Sequence, residues 1–246
     1  MKRIILVTGG QRSGKSTYAE KIVLEMAAKS AGEGPDSGMV RGGSESGGMV
    51  QGGSEPGGMV PDGSMHADGR AVYMATSRIW DEEFAHRVKL HQQRRGPQWI
   101  NLEEPKYLSR YDVAGRVVLI DCVTLWSTNF FFDLSTEPDV PEVAPDVPEV
   151  APDADGTEKV TMTASQAAES ANLVERTLQQ IKVEFDRFTS QDATFVFVTN
   201  EIGLCGVPEN KVQRQFTDLL GWLNQYIASK ADEVVFMVSG IPMKIK

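Results

Sequence analysis

One stretch near the start of the chain has the residue types and spacing needed to hold a polyphosphate. It matches the pattern G-x-x-x-x-G-K-[ST] with Gly9, Gly10, Gln11, Arg12, Ser13, Gly14, Lys15 and Ser16. Glycines let backbone N–H groups turn towards phosphate oxygens, and a helix that opens at Ser16 would point its positive end at the same anion. Lys15 can reach the β and γ phosphates, and the Ser16 hydroxyl can ligate Mg²⁺. The stretch therefore predicts a P-loop that binds a nucleoside triphosphate.

A carboxylate stands at the end of a second apolar run. Asp121 directly follows the stretch 117–120, which reads as a buried strand. In P-loop proteins a carboxylate at such a position can hold Mg²⁺ directly or through water. It could instead cap the helix expected to follow. We favour the metal or nucleotide role, with Ser16 and Asp121 as the two metal ligands.

A histidine among arginines is a candidate nucleophile. Arg87, His91 and Arg95 are spaced four residues apart, so they line one face of a predicted helix. The arginines disfavour the charged imidazolium, which keeps the ring neutral and nucleophilic, and they could neutralise phosphate oxygens. By spacing alone, a solvated basic face with a bystander histidine remains the favoured interpretation.

Another carboxylate follows a third apolar run. Glu201 comes shortly after the strand predicted over 194–198, and ligands in open α/β sheets bind at the carboxyl ends of strands. Glu201 could be catalytic or could cap the next turn, and the spacing does not decide between these roles. Further along, Pro208 and Asn210 have the types expected where a helix begins, with Asn210 as its N-cap.

The elements that position these residues alternate along the chain. Apolar runs predict strands over 4–8, 71–75, 117–120, 194–198 and 234–238. Helical spacing predicts helices over 16–29, 81–95, from 122 to 132, 163–188 and 210–231. Such alternation indicates an α/β fold with a mainly parallel sheet and helices on both faces. Uninterrupted apolar strands fit burial on both sides of the sheet.

Two low-complexity segments interrupt this pattern. Residues 32–69 hold 13 of the 23 glycines and a ten-residue repeat, and residues 137–158 contain a repeated seven-residue unit rich in Pro and acidic residues. They could be partner-binding arms, but we favour loop insertions without a role. Without them about 186 residues remain, which is the size of one domain. We expect a single domain over 1–246 that carries two insertions.

Bulk properties exclude several classes of protein. The formal net charge is −9, and eight acidic residues of the second insertion account for nearly all of it, so a nucleic-acid binder is not expected. Cys122 and Cys205 lack the spacing of a metal site or a disulfide framework. No apolar run reaches the roughly 18 residues of a membrane span. We expect a cytoplasmic protein without a membrane span.

Taken together, the sequence resembles the bifunctional adenosylcobinamide kinase / adenosylcobinamide-phosphate guanylyltransferase family of cobalamin biosynthesis. The residues that carry the resemblance are Thr8 to Ser16, Ala75-Thr76-Ser77, Arg87 to His91 with Trp99, Asp121-Cys122-Val123-Thr124-Leu125-Trp126, and Thr199-Asn200-Glu201-Ile202-Gly203 with Val207-Pro208-Glu209-Asn210. They span nearly all of the chain outside the two insertions. One departure is Asp121, where many relatives have Glu.

The resemblance implies two reactions on a RecA-like P-loop fold. A kinase phosphorylates adenosylcobinamide with ATP or GTP, and a transferase moves GMP from GTP to adenosylcobinamide phosphate through a guanylylated histidine. That histidine falls on His91, which reverses the interpretation from spacing alone. The implied nucleotide contacts beyond the P-loop are Ala75, Thr76, Ser77, Gln92, Gln93, Arg94, Arg95, Glu103 and Asp121. Mg²⁺ is the implied cofactor, and the implied assembly is a homo-oligomer, with a trimer expected.

Two other functions fit the P-loop. A plain small-molecule kinase would use His91 only to bind phosphate and would form no covalent adduct. A GTP-gated binding protein would hydrolyse GTP slowly and transfer nothing. The Asp121-to-Trp126 and Thr199-to-Gly203 stretches argue against both, through resemblance.

Overall fold

A computed structural model describes residues 1–32, 70–78, 95–136 and 164–246. The strands are β1 (Arg3–Gly9), β2 (Ala71–Ala75), β3 (Trp99–Glu103), β4 (Val117–Asp121), β5 (Thr194–Val198), β6 (Glu233–Val238) and β7 (Ile241–Lys244). The α-helices are α1 (Lys15–Gly32), α2 (Val123–Thr136), α3 (Ala164–Phe188) and α4 (Lys211–Lys230). Two short 3₁₀ helices span Leu108–Arg110 and Ile202–Cys205.

The strands form one sheet in the order β3-β2-β4-β5-β1-β6-β7. All neighbours are parallel except β7, which runs antiparallel to β6. One register row crosses five strands, joining Val7, Val198, Asp121, Ala75 and Glu103 in turn. Because the carboxyl ends of parallel strands share one edge, residues that follow these positions meet there. The expected α/β fold with a mainly parallel sheet is confirmed.

Helices cover both faces of the sheet, because successive side chains of each strand point to opposite sides. Ile4 and Leu6 of β1 join the larger buried cluster, and Ile5 and Val7 join the second. The larger cluster includes buried residues of α2, α3 and α4, among them Trp126, Phe130, Ile181, Phe185, Leu220 and Leu223. The second takes them from α1: Ala19, Val23 and Ala27. Burial on both faces explains why the strands read as continuous apolar runs.

Most predicted elements lie where expected. The strands predicted over 71–75 and 194–198 have the same bounds in the structure, and the other predicted strands agree to within one residue at each end. The helix predicted over 81–95 falls almost wholly outside the described residues. Strands β3 and β7 were not predicted. Within the described parts of the chain, no helix is long and apolar enough to cross a membrane.

Helix α4 begins as predicted at its capping residue. The Asn210 side chain accepts hydrogen bonds from the backbone N–H groups of Val212 at 2.8 Å and Gln213 at 3.2 Å. These groups would otherwise lack partners at the start of the helix. The bonds confirm Asn210 as the N-cap and fix where the helix leaves the carboxyl edge of the sheet.

Candidate nucleotide-binding site

The predicted P-loop joins β1 to α1, in the strand–loop–helix context that its pattern requires. The helix begins at Lys15, one residue earlier than predicted. Gly9 has a φ of +148°, and a Cβ there would lie 2.5 Å from the Met237 backbone oxygen, so only glycine fits. The buried Ser13 hydroxyl oxygen has no hydrogen-bond partner among the described residues. An unpaired buried hydroxyl at this place suits a phosphate ligand.

Lys15 lies folded into the loop. Its side-chain Nζ donates a 2.6 Å hydrogen bond to the backbone oxygen of Gly10, and the residue is 7% exposed. Burial lowers the pKa of Lys15 below its ordinary value, and this effect outweighs the opposing influence of nearby acidic groups, which include Asp121 and Glu201. The ammonium group is therefore near both carboxylates that the sequence singled out.

Asp121 is held by a phenol rather than by a helix end. The Tyr73 hydroxyl of β2 donates a 2.7 Å hydrogen bond to Asp121 Oδ2. Burial, together with the charge of Asp121, raises the pKa of Tyr73, so the phenol stays protonated and donates. Helix α2 begins only at Val123, and the Asp121 carboxylate makes no bond to it. The alternative in which Asp121 caps this helix is therefore wrong.

The Tyr73 ring also makes a cation–π contact with Arg95. The guanidinium carbon of Arg95 lies 3.3 Å from the centre of that ring, and Arg95 Nη1 donates to Asn101 Oδ1 at 3.0 Å. Arg95 lies four residues after His91 in the sequence. The chain that leaves the predicted histidine segment is thus fixed, through Tyr73, to the carboxylate beside the P-loop.

The residues after β2 tie two strand ends together. The Thr76 hydroxyl donates to the backbone oxygen of Cys122 at 2.8 Å and accepts from the Cys122 N–H at 2.9 Å. Asn129 Nδ2 donates to the Thr76 backbone oxygen at 2.7 Å. Thr76 is fully buried, whereas Ala75 and Ser77 are half-buried. Thr76 therefore positions its two neighbours, which are the members of the predicted trio that remain accessible.

The structure brings together most of the predicted site residues. Glu103 ends β3 on the register row that holds Ala75 and Asp121, at the edge from which the P-loop emerges. Arg95 joins the same edge through Tyr73. The remaining predicted residues, His91, Gln92, Gln93 and Arg94, lie outside the described residues. Their roles stay predictions.

The sequence allows two roles for Glu201, and the structure excludes one of them. It precedes the 3₁₀ helix Ile202–Cys205 but makes no side-chain capping bond to it. Its Oε1 instead accepts from the Thr8 hydroxyl at 2.6 Å and from Asn224 Nδ2 at 3.2 Å. The capping role is therefore wrong, and the carboxylate lies directly beside the start of the P-loop.

Sequence reasoning missed Tyr73 and Asn224. In the sequence, Tyr73 is one member of an apolar run, and Asn224 is a polar residue of a predicted helix. Asn224 is 6% exposed, and its position is flanked by Leu220, Leu223 and Ile227, which are fully buried. A polar residue on the apolar face of a helix was the signal that could have found it.

Comparison with known proteins agrees with the geometry. The model of the family described as "Cobinamide kinase / cobinamide phosphate guanyltransferase" matches residues 46–245. The bifunctional adenosylcobalamin biosynthesis protein CobU of Escherichia coli K12 is 32% identical over 99% of both chains. The protein of the same name from Salmonella typhimurium LT2 is 30% identical, also over 99% of both.

A third relative is more distant. The bifunctional adenosylcobalamin biosynthesis protein CobP of Pseudomonas aeruginosa PAO1 is 27% identical over 98% of this chain and 96% of its own. The family match begins after the P-loop, but the alignments to these relatives cover nearly the whole chain and so include it. The chain belongs to the cobinamide kinase / cobinamide phosphate guanyltransferase family.

Proposed function

We propose that this chain phosphorylates adenosylcobinamide with a nucleoside triphosphate and then transfers GMP from GTP to the product through a guanylylated His91. The observation that carries the proposal is the P-loop, which stands in its required context with Lys15 buried and Asp121 beside it, in a chain of this family. The kinase step moves the γ-phosphoryl group to a hydroxyl. The transferase step joins GMP to the phosphate thus formed.

The transfer of GMP is divided into two displacements. A neutral His91 imidazole attacks the α-phosphorus of GTP, a nitrogen–phosphorus bond forms, and pyrophosphate leaves. An oxygen of the cobinamide phosphate then attacks the same phosphorus and releases the histidine. Two displacements through a covalent intermediate are ordinary nucleophilic catalysis. Arg95, anchored four residues after His91, supports the placement of this segment beside the P-loop.

The donor set at the P-loop fits Mg²⁺. Asp121 Oδ1 and the Ser16 hydroxyl accept no hydrogen bond from the described residues, so both oxygens are available to a cation. Among the described residues no group of three His, Cys, Asp or Glu side chains could hold a metal unaided. Mg²⁺ suits such a site, because it is commonly bound by one or two protein oxygens together with substrate phosphates. When bound, it would offset negative charge on the triphosphate.

Labelling with GTP tests the proposal. The protein is incubated with Mg²⁺ and GTP labelled at the α-phosphate, denatured, and examined for acid-labile, base-stable label. We expect the wild type to retain label and His91→Ala to lose it, while His86→Ala serves as the matched control and retains it. Adding cobinamide phosphate should discharge the label.

The other results of this experiment identify the alternatives. Absence of label, with GTP binding confirmed separately, would contradict the histidine intermediate. Cobinamide-dependent consumption of the triphosphate would then indicate a simple kinase. GTP binding without any cobinamide-dependent turnover would indicate a nucleotide-gated binding protein. The preferred triphosphate and the predicted homo-oligomer are tested by substrate competition and by light scattering.

A further inference from the structure

Glu201 lies where the strand next to β1 ends. Its backbone N–H donates to the Gly9 backbone oxygen at 3.1 Å, and the Thr8 hydroxyl donates to Glu201 Oε1 at 2.6 Å. Thr8 and Gly9 are the last residues of β1 and lead into the P-loop. These two bonds, one through the backbone and one through the side chain, fix the carboxylate against the base of the phosphate loop.

A buried amide fixes the orientation of the same carboxylate. Asn224 of α4 donates from Nδ2 to Glu201 Oε1 at 3.2 Å and to the Asn200 backbone oxygen at 3.1 Å. Its Oδ1 accepts from the Thr199 hydroxyl at 2.8 Å, and Thr199 is fully buried. Buried polar groups joined in this way hold a single arrangement, because breaking any bond leaves a partner unsatisfied.

The two oxygens of Glu201 are consequently unequal. Oε1 accepts two hydrogen bonds, and Oε2 accepts none from the described residues. The carboxylate forms no ion pair with Lys15, whose ammonium group binds the Gly10 oxygen instead. The residue is half-buried. One oxygen is thus held by the fold, while the other remains available to a group that approaches the P-loop.

The kinase reaction needs an acceptor for a proton. An alcohol oxygen that attacks the γ-phosphorus must lose its hydrogen, and a positioned carboxylate can take it. The second reaction has no such need, because the attacking oxygen belongs to a phosphate that has already lost its proton. A general base at this position would therefore serve only the first of the two proposed reactions.

We propose that Glu201 is the general base of the kinase reaction, an assignment that rests on the proposed function. As the acceptor oxygen forms its bond to the γ-phosphorus, its proton passes to Glu201 Oε2. The bond between the γ-phosphorus and the bridging oxygen breaks, and its electron pair leaves with the nucleoside diphosphate, whose charge Lys15 offsets. The protonated carboxyl group then returns its proton to water.

Substitution of Glu201 tests the assignment. Glu201→Gln keeps the side-chain size and an oxygen that can accept from Thr8 and Asn224. We expect kcat for cobinamide phosphorylation to fall by about 10²–10⁴-fold, the usual contribution of a general base, with little change in nucleotide KM. Self-guanylylation from labelled GTP and GMP transfer to supplied cobinamide phosphate should stay within about twofold, because neither uses this base.

A pH profile separates catalysis from support of the loop. In the wild type, the pH profile of kcat/KM for the kinase should have a limb that falls towards low pH, and Glu201→Gln should lose that limb. Glu201→Asp should keep the limb at a reduced rate. Glu209→Gln, an exposed glutamate of the following loop, is the matched control and should change nothing.

Each other outcome has a defined meaning. A Glu201→Gln protein with unchanged kinase kcat would overturn the assignment. Equal loss of kinase and guanylyl transfer in a folded variant would overturn it as well, since Glu201 would then only support the P-loop. Absence of cobinamide phosphorylation in the wild type would instead contradict the proposed function, before any variant is compared.

Discussion

Lys15 places a positive charge where the protein alone does not favour one. The residue is 7% exposed, and in the described parts of the chain its ammonium group binds a backbone oxygen and has no carboxylate within ion-pair distance. Burial lowers its pKa, so the charged form is less stable in the folded protein than in the unfolded chain. A triphosphate would supply the missing counter-charge. The residue therefore costs stability in the free protein and contributes affinity when nucleotide binds.

Lys15→Met should separate these two effects. We expect both activities to fall by roughly 10²–10³-fold, because one group that stabilises developing phosphate charge is lost. The free energy of unfolding of the nucleotide-free protein at pH 7 should rise, since a buried charge is removed. Urea unfolding and the two activity assays measure these changes.

The pH dependence of this stabilisation follows from the lowered pKa. Below the folded pKa of Lys15 the wild type bears the full cost of the buried charge, and the cost disappears as the pH rises to the unfolded value of 10.5. The advantage of Lys15→Met should therefore shrink towards that pH. Lys21→Met, on the exposed side of α1, is the control and should show neither effect. A less stable Lys15→Met protein at pH 7 would contradict the argument.

At the scale of elements, continuous apolar runs were predictable and edge strands were not. Strand β5 has the sequence Thr-Phe-Val-Phe-Val, which is apolar at four successive positions because both faces of the strand are buried. Its bounds were predicted. Strand β3 alternates half-buried Ile100 and Leu102 with exposed Asn101 and Glu103, and β7 contains Pro242 and is exposed throughout. Such strands are defined by the neighbour with which they pair, which a local pattern does not contain.

The residues of the candidate site also divide into those that the local sequence predicts and those that it does not. The P-loop was predictable, because its chemistry lies in consecutive residues. Tyr73 and Asn224 were not, because their partners Asp121 and Glu201 lie on other elements and meet them only in the folded protein. Local sequence thus identified the groups that carry charge. The groups that orient those charges are identified only by the packing of strands and helices in the folded protein.

One ion cluster fixes the segment after β2 onto helix α2. Arg78 Nη1 donates to Asp133 Oδ1 at 2.5 Å, and Arg78 Nη2 donates to Asp133 Oδ2 at 2.7 Å. Lys106 Nζ lies 3.0 Å from Asp133 Oδ2. Hydrogen bonding to Arg78 lowers the pKa of Asp133 well below its ordinary value, although burial opposes this. Arg78 directly follows the predicted contact Ser77. The cluster therefore anchors an element of the site from outside it.

Asp133→Asn should destabilise the protein by about 1 kcal/mol or less, because the cluster is partly exposed and screened by solvent. A carboxylate with a lowered folded pKa contributes stability above its unfolded pKa, and that contribution is lost as the pH falls through the folded pKa. Urea unfolding should therefore show a constant difference between pH 5 and 8 and a shrinking one at more acid pH. Asp218→Asn, an exposed aspartate of α4, is the control. A difference that persists unchanged at acid pH would contradict the assignment to this cluster.

At the scale of the whole molecule, net charge and ligand have the same sign. The chain carries −9, although the predicted ligands are polyphosphate anions. Eight acidic residues and no basic one lie between Glu137 and Glu158, and the rest of the chain is near −1. Exposed charges act over about 8–10 Å at physiological ionic strength. Groups within the P-loop, rather than net charge, should therefore determine nucleotide affinity.

The glycine-rich segment offers a test at the same scale. It connects Gly32, the end of α1, to Ala71, the start of β2. The Gly and Ser repeats in its sequence predict a loop insertion without a role. Deleting residues 36–62 should leave both activities intact. Shortening the connection to about 11 residues reduces the entropic cost of closing this loop on folding. The free energy of unfolding should therefore rise by about 1 kcal/mol.

Replacing residues 36–62 with a Gly-Ser linker of equal length is the matched control for that deletion. Because loop length is then unchanged, we expect neither stability nor activity to change, and any difference between the two variants reports length alone. A deletion variant that folds but loses turnover, while the equal-length linker keeps it, would show that the site needs the reach of this connection. Loss of turnover in both would assign a role to the repeat sequence itself and contradict its interpretation as an insertion without function.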